Sequence, residues 1–298
     1  MPASDNKRFV LIAITVTSIA LLPSLGRYAA AADPEGFRPL FNGKDLSGWD
    51  TWLGRPHPSV TGLDLKKNDK GQYVGTVGLN KDPKNVYTVV TEDGAPAIRI
   101  SGEIFGALTS KEEFSDYHLR LQFKWGEKKW PPRDKAKRDS GLLYHCVGEH
   151  GAGGTFWMRS LECQIQEGDC GDFWSVAGVL VDVEGELQGD NGPVVFRPGG
   201  KTFTLPAKGL GNRAVKSATN EKPHGQWNTI EVYCVGPTSV HVVNGTPNMV
   251  LTNARVATDG GEKPLARGKI QLQSEGAEVF YRNIEVRPIK EIPKELLK

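Results

Sequence analysis

The chain has 298 residues, 24% of them charged, and a formal net charge of +2, so no overall field favours nucleic acid and no nucleic-acid partner is expected. That length suits one large domain or two modest ones, and all-β sandwiches often reach it as one domain. Lysines and arginines do cluster in Lys128 to Arg138 (KKWPPRDKAKR), where two prolines and no apolar period predict a solvated loop or a groove rim.

At the N-terminus, Lys7 and Arg8 precede an apolar run from Phe9 to Leu22, and Ala30-Ala31-Ala32 offers small residues for cleavage. This is the pattern of a secretory signal peptide over residues 1–32, which leaves a β-sandwich domain over 33–298. The run is short of the roughly 20 residues a membrane span needs, an uncleaved anchor being the other reading. No second apolar stretch of spanning length follows, so the expectation is a secreted or periplasmic protein with no membrane contact beyond the signal segment.

Next, Phe41-Asn42-Gly43 is a turn signal, Trp49 and Trp52 are large anchors, and Leu53 to Asn85, dense in Gly, Pro, Asp and Lys, reads as an irregular excursion. Strands are predicted at Tyr87 to Val90, Ala97 to Ser101, Ala107 to Ser110 and Tyr117 to Trp125. The last alternates cleanly, with Tyr117, Leu119, Leu121, Phe123 and Trp125 on one face and His118, Arg120, Gln122 and Lys124 on the other. No amphipathic helix pattern separates the strands, which argues for antiparallel sheets over βαβ units.

Ser140 to Trp174 holds most of the chemically versatile side chains. Gly141 to Val147 and Ser160 to Gln166 are predicted strands, joined by a glycine-rich loop, Gly148 to Gly154, that carries Glu149 and His150. In the second strand Leu161, Cys163 and Ile165 share one face while Glu162, Gln164 and Gln166 share the other. A carboxylate and two amides in a row, followed by Glu167, Asp169 and Asp172, describe a polar groove; an ordinary wet sheet face is the alternative. Val176 to Val183 is a further candidate strand, and Glu184 to Pro223 reads as long loops with a hairpin around Val194 to Phe203. Trp227 to Val235 is a strand. Asn244-Gly245 between Ser239–Val243 and Thr246–Leu251 marks a type I′ hairpin, which accounts for Asn244-Gly245-Thr246 better than its reading as a glycosylation sequon. Lys269 to Ser274 and Glu278 to Arg287 complete the strands, and Ile289 to Lys298 is expected to fray.

Many short strands between turn residues predict an all-β sandwich or jelly roll of two antiparallel sheets with long loops. The polar parity faces of Glu162, Gln164 and Gln166, of Lys124, of Gln271, Gln273 and Glu275, and of His145 are expected to converge. Four cysteines (Cys146, Cys163, Cys170, Cys234) in an exported chain permit disulfides, and sequence does not choose among three connectivities. No C-x-x-C pair suggests structural zinc, and Cys163 and Cys234 read equally well as small buried hydrophobes.

Several segments, taken together, resemble the 3-keto-disaccharide hydrolase domain family. They are LFNGKDLSGW (Leu40 to Trp49), Tyr117 to Trp125, DSGLLYH (Asp139 to His145), LECQIQ (Leu161 to Gln166), GQWNT (Gly225 to Thr229), and GKIQLQSEG (Gly268 to Gly276) through FYRNI (Phe280 to Ile284). They run in family order over about Phe37 to Pro288. The resemblance implies a concanavalin A-like jelly roll and a role in breaking modified glycosides outside the cytoplasm. The chain departs from the family pattern twice: Asp139 stands where Asn is usual in Asn-Ser-Gly, and Gln273-Ser274-Glu275-Gly276 replaces Gln-Asp-His-Gly.

The residues allow three activities. Glucanases of this general fold carry two glutamates on one strand. Glu162-x-Gln164-x-x-Glu167 mimics that spacing with an amide at its centre, and a one-residue bulge would be needed to bring Glu162 and Glu167 together. A 3-keto glycoside offers an easier path: its ketone acidifies the C2 proton, so one base, with a cation or metal to stabilise the enolate, suffices to expel the C1 substituent. His145 is the first candidate base and Glu162 the second, with a structural histidine as the alternative for His145. Lys124, Ser140, Gln164, Gln166, Gln273, Glu275 and Arg282 are candidate sugar-binding residues. A structural ion pair is the alternative for Arg282. Trp125, Trp157 and Trp174 are candidate stacking platforms, core packing being the better account of Trp125. No cofactor is required by the sequence; a divalent metal is allowed, and Glu149 and His150 on the glycine-rich loop are candidates to join its site, flexible solvated loop residues being the better account of both. The remaining readings are a non-catalytic, lectin-like carbohydrate-binding module and a conventional glucanase. A carbohydrate partner is expected on all three.

Overall fold

The computed structural model describes Met1, residues 35–190 and residues 192–298. The apolar run and the cleavage site expected between Phe9 and Ala32 lie outside the described residues.

Strand-forming alternation dominates the described chain, and its one helical element is a 3₁₀ turn at Lys294–Leu297. The strands build two sheets. In the front sheet the neighbours run Gly78–Leu79, Trp49–Leu53, Gly106–Ser110, Lys269–Ser274, Asp139–Val147, Arg159–Gln166, Phe173–Val176 and Arg213–Val215. In the back sheet they run Tyr87–Glu92, Ala95–Ile100, Ala277–Pro288, Tyr117–Lys129, Asn228–Val235, Thr238–Val243 and Thr246–Thr258. These pairings are antiparallel, as the lack of crossover helices predicts. A short parallel pairing joins Val194–Phe196 to Arg213–Val215. The last back-sheet strand is shared: its first half pairs with Thr238–Val243, and its second half reaches the strand Leu180–Leu187 on the front side.

The core lies where the two apolar parities meet. Tyr117, Leu119, Leu121, Phe123 and Trp125 point in from the back sheet, and Leu161, Cys163 and Ile165 point in from the front, all buried in one cluster. Each such side chain contributes roughly 1.5–3 kcal/mol by leaving water, and the in–out order of both strands follows from that gain. Asn244 and Gly245, with φ of 49° and 81°, close a two-residue turn, as expected for type I′. The Asn244 side chain is spent inside the turn: its amide donates to the Asn220 carbonyl and Asn228 Oδ1, and its oxygen accepts from the Thr229 amide.

Two expectations change. Val194–Phe196 and Lys201–Leu205 do not pair with each other; each pairs with Leu180–Leu187, because the Pro198-Gly199-Gly200 turn carries the chain across to the other edge of that strand. The C-terminal tail does not fray freely, since Ile292 is buried against Val240 and Val242. All four cysteines are free and buried, as small apolar residues would be.

Candidate functional site

The outer face of the front sheet carries a cleft of about 560 Å³, and strand register decides its floor. Asp139 stands opposite Gln166, Gly141 opposite Gln164, and Leu143 opposite Glu162; on the far side Glu162 stands opposite Trp174. Gln271 pairs with Leu143 from the other flank, and Gln273, two residues on, shares its face. Leu161, Cys163 and Ile165 sink into the core, so the alternate set, Glu162, Gln164 and Gln166, is driven out onto this face. Gly141 sits in the middle. A Cβ there would take the place of Glu162 Oε1 and would lie 2.8 Å from Gln273 Oε1. The missing side chain is what lets the Glu162 carboxyl lean over the floor.

The charges are unbalanced. Glu162, Asp139 and Glu275 line the cleft, and Arg133 is the single Lys or Arg among its lining residues. Arg133 pairs with the Asp139 carboxylate and, at 3.5 Å, with Glu275; the Gln166 amide also donates to Asp139. Burial, reinforced by the nearby Glu275 and Asp139, holds the Glu162 pKa well above the usual carboxyl value, the Gln273 amide acting weakly the other way. Burial likewise raises Asp139, to about 7 despite Arg133, and raises Glu275. Burial thus favours the protonated form of Glu162, and Asp139 is poised between its two forms near neutral pH. Four buried polar atoms of lining residues have no hydrogen-bond partner among the described residues: Asp139 Oδ1, Gln273 Oε1, Trp174 Nε1 and Arg133 Nε.

Of the residues expected from sequence, Glu162, Gln164, Gln166, Trp174, Gln273 and Glu275 meet in this cleft, and Trp157 joins them. Others do not. His145 is turned inward by a β-bulge: Tyr144 pairs with Leu161 but Val147 pairs with Arg159, three steps against two. His145 takes up the extra residue at φ 49°, and Cys146 assumes the outward position and packs with Leu143, Met158 and Val176. The imidazole is 1% exposed, edge-on to Tyr117 and Tyr144. Burial lowers its pKa to about 4; the Leu265 carbonyl opposes this weakly, too poorly aligned to count as a hydrogen bond. The expectation that His145 stands beside the Glu162 row is thus corrected.

Glu167 lies past the end of its strand, with no bulge between it and Glu162, and takes two hydrogen bonds from Arg138 at 2.8 and 2.9 Å. Burial alone would raise its pKa; Arg138 outweighs that and holds it down. Ser140 points into the core, its hydroxyl shared between the Gln273 carbonyl and Tyr281. Lys124 and Arg282 are on the outer face of the back sheet, on the opposite side of the sandwich. There Lys124 pairs with Glu92 and Asp93, and Arg282 stacks on Trp227 at 3.8 Å. Trp125 is core, as its parity predicts. His150 stacks on Trp52 at 5.4 Å and Glu149 is exposed. No group of three or more His, Cys, Asp or Glu among the described residues is arranged to hold a metal ion.

Arg133, Asp139 and Asn212 are cleft residues that site reasoning from sequence passed over. The signal for Arg133 was its place in the Lys128 to Arg138 loop: most of the loop is solvated, as one reading had it, and at Arg133 it reaches the cleft, as the groove-rim reading had it. The signal for Asp139 was the family pattern itself: two of the residues that depart from it, Asp139 and Glu275, meet at one guanidinium.

The family model for the 3-keto-alpha-glucoside-1,2-lyase-like domain matches residues 36–287. Among solved structures, the chain is similar to two proteins of Parabacteroides distasonis provisionally assigned as glycosyl hydrolases. One is 18% identical with TM-score 0.45, covering 86% of this chain and 94% of that one; the other is 19% identical with TM-score 0.41, covering 70% and 93%. A carbohydrate-binding module from Bacillus subtilis is 9% identical with TM-score 0.39, covering 66% and 89%. No curated protein matches the chain. With residues 36–287 matched, this carbohydrate-active protein belongs to the 3-keto-alpha-glucoside-1,2-lyase-like domain family.

Proposed function

We propose that this protein is an exported enzyme that cleaves 3-keto glycosides, disaccharides among them, in the cleft over Gly141. The observation that carries the reading is the Glu162 carboxyl, buried, raised in pKa and leaning over an empty floor position between two amides. A carboxyl with a raised pKa is a stronger base when ionised and a proton donor when not. In the 3-keto substrate the C2–H bond is acidified by the neighbouring ketone. Ionised Glu162 takes that proton, and the electron pair enters the enolate. The C1–O bond then breaks as the C1–C2 double bond forms, and Glu162 returns its proton to the departing oxygen. Water added across the double bond would complete a hydrolysis; release before that step makes the enzyme a lyase. Arg133, the cation of the cleft, supplies positive charge for the enolate oxygen, and Asp139 and Glu275 hold its guanidinium.

The deciding experiment offers the protein a 3-keto disaccharide and its unoxidised parent. Turnover of the first alone is expected, and Glu162→Gln should reduce it by roughly 10²–10⁴, the usual worth of general acid–base catalysis, with the melting temperature little changed. Binding of both sugars without turnover would identify a binding module, and cleavage of the parent would identify a conventional glucanase. Export rests on Lys7-Arg8, the apolar run and Ala30-Ala31-Ala32; mass spectrometry of the mature N-terminus should find it near residue 33, and a full-length cytoplasmic chain would refute that part.

A further inference from the structure

The cleft is polarised along one strand. Passing from Glu162 toward the end of Arg159–Gln166, the floor shows Gln164, then Gln166 beside Asp139, Arg133 and Glu275. Passing the other way, it meets an apolar wall. Val176, opposite Ser160, forms a buried cluster with Leu143, Cys146 and Met158, against which Trp157 and Ala177 pack. The Ser160 hydroxyl is spent on the Met158 carbonyl, so it offers that end no polar group. The loop bearing Trp157 is pinned over the wall. Gly153 and Trp157 exchange backbone hydrogen bonds at 2.8 and 3.2 Å, and the indole N–H donates to the Gly106 carbonyl at 3.1 Å. Gly153 lies so close to Val176 that a Cβ on it would come within 2.7 Å of Cγ1. An apolar surface this well built, open on the cleft side and reached directly from Glu162, is a subsite for something other than a hydroxyl-studded sugar.

Resting on the reading of Glu162 given above, we infer that the leaving-group end of the cleft takes an apolar ring against Trp157, Val176 and Ala177, so that the substrates include 3-keto glycosides of aromatic or alicyclic alcohols. The 3-keto sugar then lies over Gln164 and Gln273, with its C1–O bond beside Glu162, and the aglycone departs as the neutral alcohol.

Methyl and benzyl 3-keto-α-glucosides test this, because their alcohols are of similar acidity and differ chiefly in the ring. The benzyl compound should have a kcat/KM about tenfold or more above the methyl one, mostly through KM, as expected for filling an apolar pocket. Ala177 has φ of 53°, a conformation asparagine accepts, so Ala177→Asn puts an amide in the wall without backbone strain. It should lower the benzyl constant at least fivefold more than the methyl constant, and Trp157→Ala should do the same. Equal constants for the two substrates, or a benzyl preference that survives both variants, would overturn the inference. If neither compound turns over, the catalytic reading fails on its own, and calorimetry with the unoxidised benzyl and methyl α-glucosides still decides. Tighter benzyl binding lost in Ala177→Asn supports the apolar subsite; equal binding refutes it.

Discussion

Gly141 is the residue on which the cleft depends most simply. Its neighbours in the strand, Ser140 and Leu142, face the core, so position 141 must face out, and any side chain there would stand where the Glu162 carboxyl now lies. Gly141→Ala should therefore act on activity before it acts on the fold. The added methyl displaces Glu162 and Gln273, so overpacking should cost about 1–3 kcal/mol. Turnover of a 3-keto glycoside should fall at least tenfold, measured beside thermal melts; a variant with full activity would mean that Glu162 does not work from this position. Arg133 poses the converse case. Arg133→Met strips the counter-charge from Asp139 and Glu275. Breaking a fully buried pair costs roughly 3–5 kcal/mol; less is expected here because the arginine side chain is 24% exposed. Substrate turnover should drop as well if the enolate uses this cation, and unchanged kcat would remove Arg133 from the reaction.

Elements show where sequence logic holds and where it stops. Period-two alternation made the Arg159–Gln166 strand legible, down to which residues line the cleft, because Leu161, Cys163 and Ile165 admit one orientation only. The Asn244-Gly245 turn was legible for the same kind of reason. Parity says in or out but not which of two sheets, and for that reason Lys124 and Arg282, rightly assigned to a solvent face, belong to the wrong side of the sandwich for this cleft. The bulge at His145 was not legible at all. It inserts a single residue without a glycine, at a histidine, a type that tolerates positive φ better than most, and it reverses every parity beyond it. A testable consequence follows from that geometry. His145→Asn keeps a residue suited to φ 49° and vacates space between Tyr117 and Tyr144. It should lower stability by about 1–3 kcal/mol as a partly collapsed cavity does, and leave turnover within about threefold of the parent. A loss of a hundredfold with the fold intact would put the imidazole back in the reaction.

At the scale of the whole molecule, buried titratable groups of two kinds set the response to pH, with opposite signs. Asp139, Glu162 and Glu275 have folded pKa values above those of the unfolded chain, with Asp139 at about 7 against a usual value of about 3.9. The folded protein keeps these protons after the unfolded chain has released them. Their contribution is complete below about pH 4 and is lost as pH rises through the folded values. His145 and His241 are lowered by burial to about 4, against about 6.5 unfolded. The folded protein refuses protons that the unfolded chain accepts, so their contribution is present above about pH 6.5 and lost as pH falls toward 4. Between these limits the two histidines offset most but not all of the three carboxyls, so stability should decline only gently as pH rises. Above about 6.5 the histidines no longer contribute any slope, and the carboxyls act alone. The melting temperature should therefore fall gently from about pH 5 to 6.5 and more steeply above 6.5. Glu162→Gln combined with Asp139→Asn should flatten that fall, since neither amide can ionise. A melting temperature that rises from pH 6.5 to 8, or a fall that the double variant leaves intact, would show that the cleft carboxyls are not held protonated. Turnover should run the other way: the ionised form of Glu162 is the base, so kcat/KM should climb as pH rises through its raised pKa.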